Sequence, residues 1–188
     1  MTIKTEHAQE FRAWRQNLQK DSRWAILINA DPDALASAMA LKRIMYNRVR
    51  LTDIIRINEV SRPDNLAMIR YLRISVKPWQ PERLSDYSNY ALVDSQPSHN
   101  KAFDNITYSL VIDHHPLTDI SNRLTPGAFS FIGTGVGANS TIMTQFLQAL
   151  RVRPGPLLAT GLLYGIRTDT GAFERSGGEE EKPAETAS

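Results

Sequence analysis

Cysteine is absent from the 188-residue sequence. This absence excludes disulfide bonds, thiolate zinc sites and cysteine nucleophiles, so any bound metal would have Asp, Glu, His or Asn as its ligands. The sequence also lacks an apolar run of membrane-spanning length, and its first residues lack the apolar stretch of a signal peptide. We therefore expect a cytoplasmic protein that makes no contact with a membrane.

A large excess of one charge is missing as well. The formal net charge is +2, and the contents of 41% hydrophobic and 22% charged residues are ordinary for a globular protein. Residues 174–188 contain five Glu, one Arg and one Lys, which leaves a net charge of +5 on the rest of the chain. A mildly basic body is compatible with substrates that carry phosphate. Composition thus predicts one domain at residues 1–173 and a disordered acidic tail or linker remnant at 174–188.

Short apolar runs alternate along the chain with segments whose apolar residues have helical spacing. The predicted strands are residues 24–28, 51–57, 74–76, 90–93, 108–112 and 128–132. The predicted helices are an amphipathic one at 5–20 and others at 35–45, 63–71, 136–150 and from 156 onward. This alternation predicts an α/β fold, with a mostly parallel twisted sheet and helices on both faces. Right-handed crossovers would place the carboxyl end of every strand at one edge of the sheet.

The predicted strand at 108–112 is the most informative stretch, because it ends in Asp113, His114 and His115. Ligands of open α/β sheets bind just beyond the carboxyl ends of the strands. Asp and His supply the oxygen and nitrogen donors that suit divalent manganese or zinc. Taken alone, these three residues are weak evidence for a site, and a polar turn after a strand is the more common explanation.

Other acidic residues follow other predicted strands and the last helix. Asp31 and Asp33 come after the first strand, Asp94 ends a later one, and Asp169 lies in the turn after the final helix. Carboxylates crowded at one edge repel one another unless a cation neutralises them. A pair of divalent ions would remove that repulsion and activate a water for in-line attack on phosphorus. Helix capping by Asp31 and Asp33, and a turn role for Asp94, are the simpler alternatives.

Four motifs, in this order, resemble those of the DHH phosphoesterase superfamily. They are NADPDA at 29–34, VDS at 93–95, DHHP at 113–116 and GIRTDTG at 165–171. The superfamily includes RecJ-like exonucleases, nanoRNases that also hydrolyse phosphoadenosine phosphate, cyclic-dinucleotide phosphodiesterases and family II pyrophosphatases. The resemblance spans roughly residues 24–173 and implies a Rossmann-like catalytic domain.

The resemblance implies a set of metal ligands. Asp31 would bind the first metal and Asp33 the second, and Asp94 would bridge both and hold the activated water between them. His114 and Asp169 would complete the second site. The implied cofactor is a pair of Mn²⁺ ions, with Mg²⁺ or another divalent metal as the alternative.

The resemblance also assigns residues to the substrate. His115 would hold the substrate phosphate or protonate the leaving oxygen. Asp113 would orient a histidine. The glycine-rich stretch at 133–141 would place backbone N–H groups at a helix start near the phosphate, and its proposed contacts are Gly137, Asn139 and Ser140.

The chain departs from the superfamily pattern at one ligand position and in its length. Asn29 stands where a His is usual, and an amide oxygen is a poorer donor to manganese than a neutral imidazole. Asn29 and Asp113 are therefore assigned either to the metal or to the support of its ligands. Superfamily members commonly carry a smaller C-terminal substrate-binding domain, which we expect to be absent here or supplied by a partner chain. His7 and His99 match no motif and are expected to face solvent.

Three functional hypotheses follow from these features. The leading one is a manganese-dependent phosphoesterase that hydrolyses a phosphodiester or phosphomonoester of a small nucleotide or short oligonucleotide. The second is a catalytically weak or idle nucleotide- or metal-binding module, which Asn29 and the lack of a second domain favour. The third is a RecJ-like single-strand exonuclease, which ranks lower because the sequence has no basic stripe interleaved with aromatic residues. A pyrophosphatase ranks last, because those sites have a different spacing in the first motif.

Overall fold

A six-stranded sheet forms the centre of the computed structural model, which describes residues 3–171. The strands are β1 (Arg23–Ile28), β2 (Leu51–Arg56), β3 (Val76–Pro78), β4 (Asn89–Val93), β5 (Tyr108–Asp113) and β6 (Leu124–Ile132). Their order is β3-β2-β1-β4-β5-β6, and every neighbouring pair is parallel. The tail predicted at 174–188 lies outside the described residues.

Five α-helices pack on one face of this sheet. They are α1 (Thr5–Gln16), α2 (Pro32–Met45), α3 (Pro63–Tyr71), α4 (Asn139–Ala149) and α5 (Pro156–Asp169), and their apolar side chains share a core with Ile26 and Ile28 of β1. Short 3₁₀ helices and loops cover the other face, where Tyr87, Phe103 and Ile106 pack against Leu27. The predicted parallel sheet with helices packed on it is confirmed. Only 3₁₀ helices lie on the second face in residues 3–171.

The strand order explains why the two faces differ. The chain moves outward from β1 to β3 through α2 and α3, then returns to β4 and moves outward to β6 on the other side. Right-handed crossovers that run in opposite directions fall on opposite faces of a sheet. The reversal leaves a crevice beyond the carboxyl ends of β1 and β4, which is where ligands bind in open α/β sheets. Asp94 follows β4 directly, and Asp31 lies three residues beyond the end of β1.

Local chemistry sets the start of α2 at this crevice. The Asp31 side chain caps the helix, because its Oδ1 accepts a hydrogen bond of 2.9 Å from the Ala34 N–H, and Pro32 occupies the first turn. Gly165 lets α5 approach this region closely. A Cβ at Gly165 would lie 2.6 Å from Ser140 Oγ and 3.1 Å from Asp33 Cα, so only glycine fits there.

The largest differences between predicted and observed element boundaries are at α1 and β6. The first helix ends at Gln16 instead of residue 20, although Leu18 still packs against the core. The edge strand β6 begins at Leu124 instead of residue 128, because its register against β5 shifts around Pro126 and Gly127. Such an irregularity at an edge strand tolerates both residue types. None of the helices in residues 3–171 combines the length and apolarity needed to cross a bilayer.

We expect Phe11 to be the residue through which α1 stabilises the fold. Its ring is fully buried and lies 4.8 Å from the Phe129 ring and 4.3 Å from the Phe146 ring, measured between centroids. The substitution Phe11→Ala should lower the free energy of unfolding by about 3–5 kcal/mol, because it removes a buried ring and leaves a cavity. Urea denaturation measures this effect.

The matched control is Leu163→Ala, which truncates a side chain that is 60% exposed. Its free energy of unfolding should stay within about 0.5 kcal/mol of the parent value. Equal losses for the two variants would contradict the packing of α1 described above.

Candidate functional site

The imidazole of His114 lies at the centre of a group of carboxylates. Its Nδ1 is 3.1 Å from the Val136 carbonyl oxygen, and because that oxygen can only accept, Nδ1 carries the proton. In the neutral ring, Nε2 therefore presents a lone pair. That nitrogen is 3.3 Å from Asp94 Oδ1, 3.3 Å from Asp169 Oδ2 and 3.9 Å from Asp33 Oδ2. A lone pair that faces three carboxylates is repelled unless the ring gains a second proton or a cation lies among them.

Asp94 is the least satisfied member of this group. Its backbone has a positive φ of 58°, a strained conformation for a residue with a Cβ. Its Oδ1 is buried without a hydrogen-bond donor among residues 3–171, since the nearby Nε2 of His114 carries no proton in the neutral ring. Burial first, and then the charges of Asp33 and Asp31, raise the pKa of Asp94 well above its ordinary value. A buried acceptor of this kind is a ready ligand for a cation.

Asp33 is held in place by the start of α4. Its Oδ2 accepts a hydrogen bond of 2.6 Å from the Asn139 N–H, and its Oδ1 accepts one of 2.7 Å from the Ser140 N–H. The amino end of a helix favours such a negative group. Burial nevertheless raises the pKa of Asp33 to about 6, with the hydrogen bonds from Ser140 opposing the rise and the charge of Asp169 adding to it.

The backbone N–H groups at the start of α4 that were predicted to bind the substrate phosphate already donate hydrogen bonds within the chain. The N–H groups of Asn139 and Ser140 donate to Asp33, and both side chains have no exposed surface. Gly137 is half-buried in the loop before them. The anion at this helix start is therefore a carboxylate of the chain itself. The N–H groups of Asn139 and Ser140 are not available to a substrate phosphate.

Asp31 and Asn29 lie at the outer side of the group. Asp31 has one oxygen committed to the cap of α2, and burial raises the pKa of this residue despite the Ala34 N–H. Asn29 is exposed. Between them, the backbone of Ala30 forms two hydrogen bonds with the Asn58 side chain, from the Ala30 N–H to Oδ1 (2.6 Å) and from Nδ2 to the Ala30 oxygen (3.0 Å). Asn58 was missed by sequence reasoning, although its place just after β2 puts it at the same edge.

Asp113 and His115 form a second, adjoining pair. Asp113 Oδ1 is 2.8 Å from His115 Nδ1, and Asp113 Oδ2 accepts a hydrogen bond of 2.7 Å from Gln96 Nε2. Burial would raise the pKa of Asp113, but these two hydrogen bonds outweigh it and hold the pKa below its ordinary value. The hydrogen bond between Asp113 and His115 also raises the pKa of His115.

His99 is exposed, as predicted, and its ring also contacts the Asp113–His115 pair. Its ring centroid is 5.5 Å from that of His115, and its Nδ1 accepts a hydrogen bond of 3.2 Å from the Gln96 N–H. Burial lowers the pKa of His99. Sequence reasoning missed this contact because His99 lies outside the four motifs and reaches the site through the turn after β4.

Within residues 3–171, three sets of side chains bring their donor atoms within 4.8 Å of one another and so could hold a metal ion. They are Asp94–His114–His115, Asp33–His114–Asp169 and His99–Asp113–His115. The first two share His114 and include the unpartnered oxygen of Asp94, so their donors fit a divalent cation. In the third set, Asp113 is already committed to Gln96 and His115. The predicted ligand Asp31 lies outside all three sets.

The substitution Asp94→Asn should stabilise the metal-free protein at neutral and alkaline pH. Because the native pKa of Asp94 lies above its value in the unfolded chain, the native state binds this proton more tightly and loses stability as pH rises between the two values. The amide removes that loss. Urea denaturation in EDTA between about pH 4 and 8 should therefore show a gain for Asp94→Asn that is largest at the alkaline end.

The control is Asp86→Asn, at a half-buried carboxylate that pairs only with the exposed side chain of Arg83 in the described residues. It should alter the free energy of unfolding by less than about 0.5 kcal/mol at every pH. A variant Asp94→Asn that is less stable than the parent at alkaline pH would contradict the electrostatic description of this site.

Comparison with known proteins places this geometry in a family. Residues 25–166 match the DHH family, N-terminal domain. The uncharacterized protein MJ1633 of Methanocaldococcus jannaschii is 35% identical over 148 residues, which make up 79% of this chain and 30% of that protein. An exopolyphosphatase-related protein from Bacteroides fragilis has a similar crystal structure, with a TM-score of 0.68 at 13% identity over 95% of this chain and 54% of that one. At that identity the likeness shows the fold alone.

The chain thus spans about a third of the one relative and about half of the other. The match to the N-terminal domain covers most of its residues and includes the strand ends that carry Asp31, Asp94 and His114. The chain belongs to the DHH family.

Proposed function

We propose that the chain is a manganese-dependent phosphoesterase acting on a small nucleotide or a short oligonucleotide. The observation that carries this proposal is the buried oxygen of Asp94, which lacks a donor in the described residues and lies 3.3 Å from Nε2 of His114. Membership of the DHH family supports a hydrolase of phosphate esters. The mildly basic body of the chain suits an anionic substrate.

The residues divide naturally into two neighbouring ligand sets. Asp33, His114 and Asp169, whose donor atoms lie close together, would hold one ion. The family resemblance assigns Asp31 to the other ion, with help from Asn29, and Asp94 to both. When bound, a pair of divalent ions lowers the pKa of a bound water and neutralises charge on the phosphate. The chain contributes fixed positions for these ligands, since Asp33 is held by α4 and the loop that carries Asp31 is held by Asn58.

His115 is the residue we assign to the substrate. Its Nδ1–H is committed to Asp113, its side chain is 45% exposed, and its ring centroid is 4.3 Å from that of His114. The raised pKa favours the imidazolium. In that form Nε2–H donates a hydrogen bond to a phosphate oxygen or delivers its proton to the leaving oxygen.

A binding module without catalysis is the second candidate. Asn29 favours it, because this residue occupies the position of a usual histidine ligand and an amide binds manganese less well than imidazole. We further propose that another domain or a partner chain supplies the remaining substrate contacts, in keeping with the share of its relatives that this chain covers.

Hydrolysis assays test the proposal directly. Short oligonucleotides, phosphoadenosine phosphate and cyclic dinucleotides are each incubated with the protein and Mn²⁺, and products are separated by chromatography. We expect manganese-dependent turnover of at least one substrate and none after EDTA treatment. Asp94→Ala should abolish this turnover, because it removes the shared ligand.

Asp86→Ala is the matched control, since it deletes a half-buried carboxylate that pairs with Arg83 outside the four motifs, and it should keep the parent activity. Turnover that survives Asp94→Ala would contradict the mechanism. Nucleotide binding at full metal occupancy without product would favour the binding module instead.

The substitution Asn29→His should tighten manganese binding, because a neutral imidazole is a better donor than an amide oxygen. Electron paramagnetic resonance of free Mn²⁺ in a titration gives the dissociation constants of parent and variant. Asn122→His, which places an imidazole at an exposed residue elsewhere, should leave them unchanged. Identical dissociation constants for Asn29→His and the parent would show that residue 29 does not contact the metal.

A further inference from the structure

Gln96 is a fully buried amide beside the candidate site. It lies two residues beyond Asp94, in the turn after β4, and its side chain reaches across to the loop that follows β5. Sequence reasoning gave it no role. Burial of an amide costs free energy of folding unless all its hydrogen-bonding groups are paired.

Every group of the Gln96 side chain has a partner. Nε2 donates to Asp113 Oδ2 at 2.7 Å and to the Pro116 oxygen at 3.0 Å, with the His115 oxygen at 3.4 Å. Oε1 accepts from the Thr118 N–H and from Thr118 Oγ1, both at 2.8 Å. An amide has two N–H donors and one oxygen with two lone pairs, so these partners fix the orientation of the Gln96 amide group. The donor end must face Asp113.

Asp113, held by Gln96, in turn orients the ring of His115. Asp113 is also fully buried, and its two oxygens are committed to different partners, Oδ2 to Gln96 and Oδ1 to the His115 N–H. Without the Gln96 donor, Asp113 would be left with the His115 N–H and the backbone N–H of His114, and the carboxylate would turn to share these donors between its two oxygens. The His115 ring would then lose its fixed tautomer, because Nδ1–H is held only by the Oδ1 position.

We infer that Gln96 is a positioning residue that fixes the tautomer and orientation of His115 through Asp113. Thr118, Gln96, Asp113 and His115 form one continuous chain of hydrogen bonds that leaves Nε2 as the outward-facing nitrogen of His115. The role of His115 in catalysis, and therefore the kinetic test, rests on the function proposed above. The hydrogen-bond chain itself does not.

A double-mutant cycle separates positioning from a general structural role. With a substrate that the parent hydrolyses, Gln96→Leu should lower kcat by about 10- to 100-fold, the usual effect of removing a group that orients a catalytic ligand. In the His115→Ala background, the same change should alter kcat by less than about twofold, because its target is gone. A loss of equal size in both backgrounds, or no loss in either, would overturn the inference.

Two further variants guard against a fold defect. Gln96→Glu keeps the shape of the side chain but replaces the donor with a charged acceptor, so it should lose kcat at least as strongly as Gln96→Leu. Gln19→Leu, at an exposed glutamine whose Nε2 donates to the nearby Asn17 oxygen, should keep the parent kcat. A parent-like kcat for a folded Gln96→Glu would equally overturn the inference.

Nuclear magnetic resonance tests Gln96 without any turnover. In the metal-free, ¹⁵N-histidine-labelled protein at a pH where the ring is neutral, His115 should be the Nδ1–H tautomer in the parent. It should become a mixture of tautomers in Gln96→Leu or Gln96→Glu. An unchanged tautomer would refute the positioning role. Absence of turnover in the parent would instead count against the proposed function. The tautomer measurement would then test the positioning role of Gln96 by itself.

Discussion

The repulsion among Asp33, Asp94 and Asp169 around one imidazole nitrogen is the constraint on which the site depends. His114 cannot relieve it in the neutral form, because its proton is used by the Val136 carbonyl. A native structure tolerates such crowding only when something else compensates, since each buried carboxylate resists desolvation and each increases the cost of its neighbours. The compensation that this donor set favours is a divalent cation.

The fold supplies the rigidity that this crowding requires. Strand order brings the ends of β1, β4 and β5 to one edge, and α5 delivers Asp169 to the same place through the close approach that Gly165 permits. The start of α4 holds Asp33 with two backbone N–H groups. Rigid placement prevents the carboxylates from turning outward into water, so their mutual repulsion persists until it is neutralised.

Much of this arrangement was predictable because it follows from strand ends. Apolar runs followed by Asp94 or by Asp113 and His114 mark the carboxyl edge of a parallel sheet, and both the fold and the family were confirmed. Contacts that depend on orientation were not predictable. No pattern in the sequence indicates that the N–H groups at the start of α4 would hold Asp33, or that a glutamine outside the motifs, Gln96, would reach Asp113.

The proposed chemistry of the site requires cations in the space between these carboxylates. Anomalous diffraction from a crystal grown with Mn²⁺ measures this most directly. We expect two manganese peaks that share Asp94 as a ligand, with His114 bound to one of them through Nε2. A crystal in which Asp94 and His114 contact no manganese at saturating concentration would contradict the central claim.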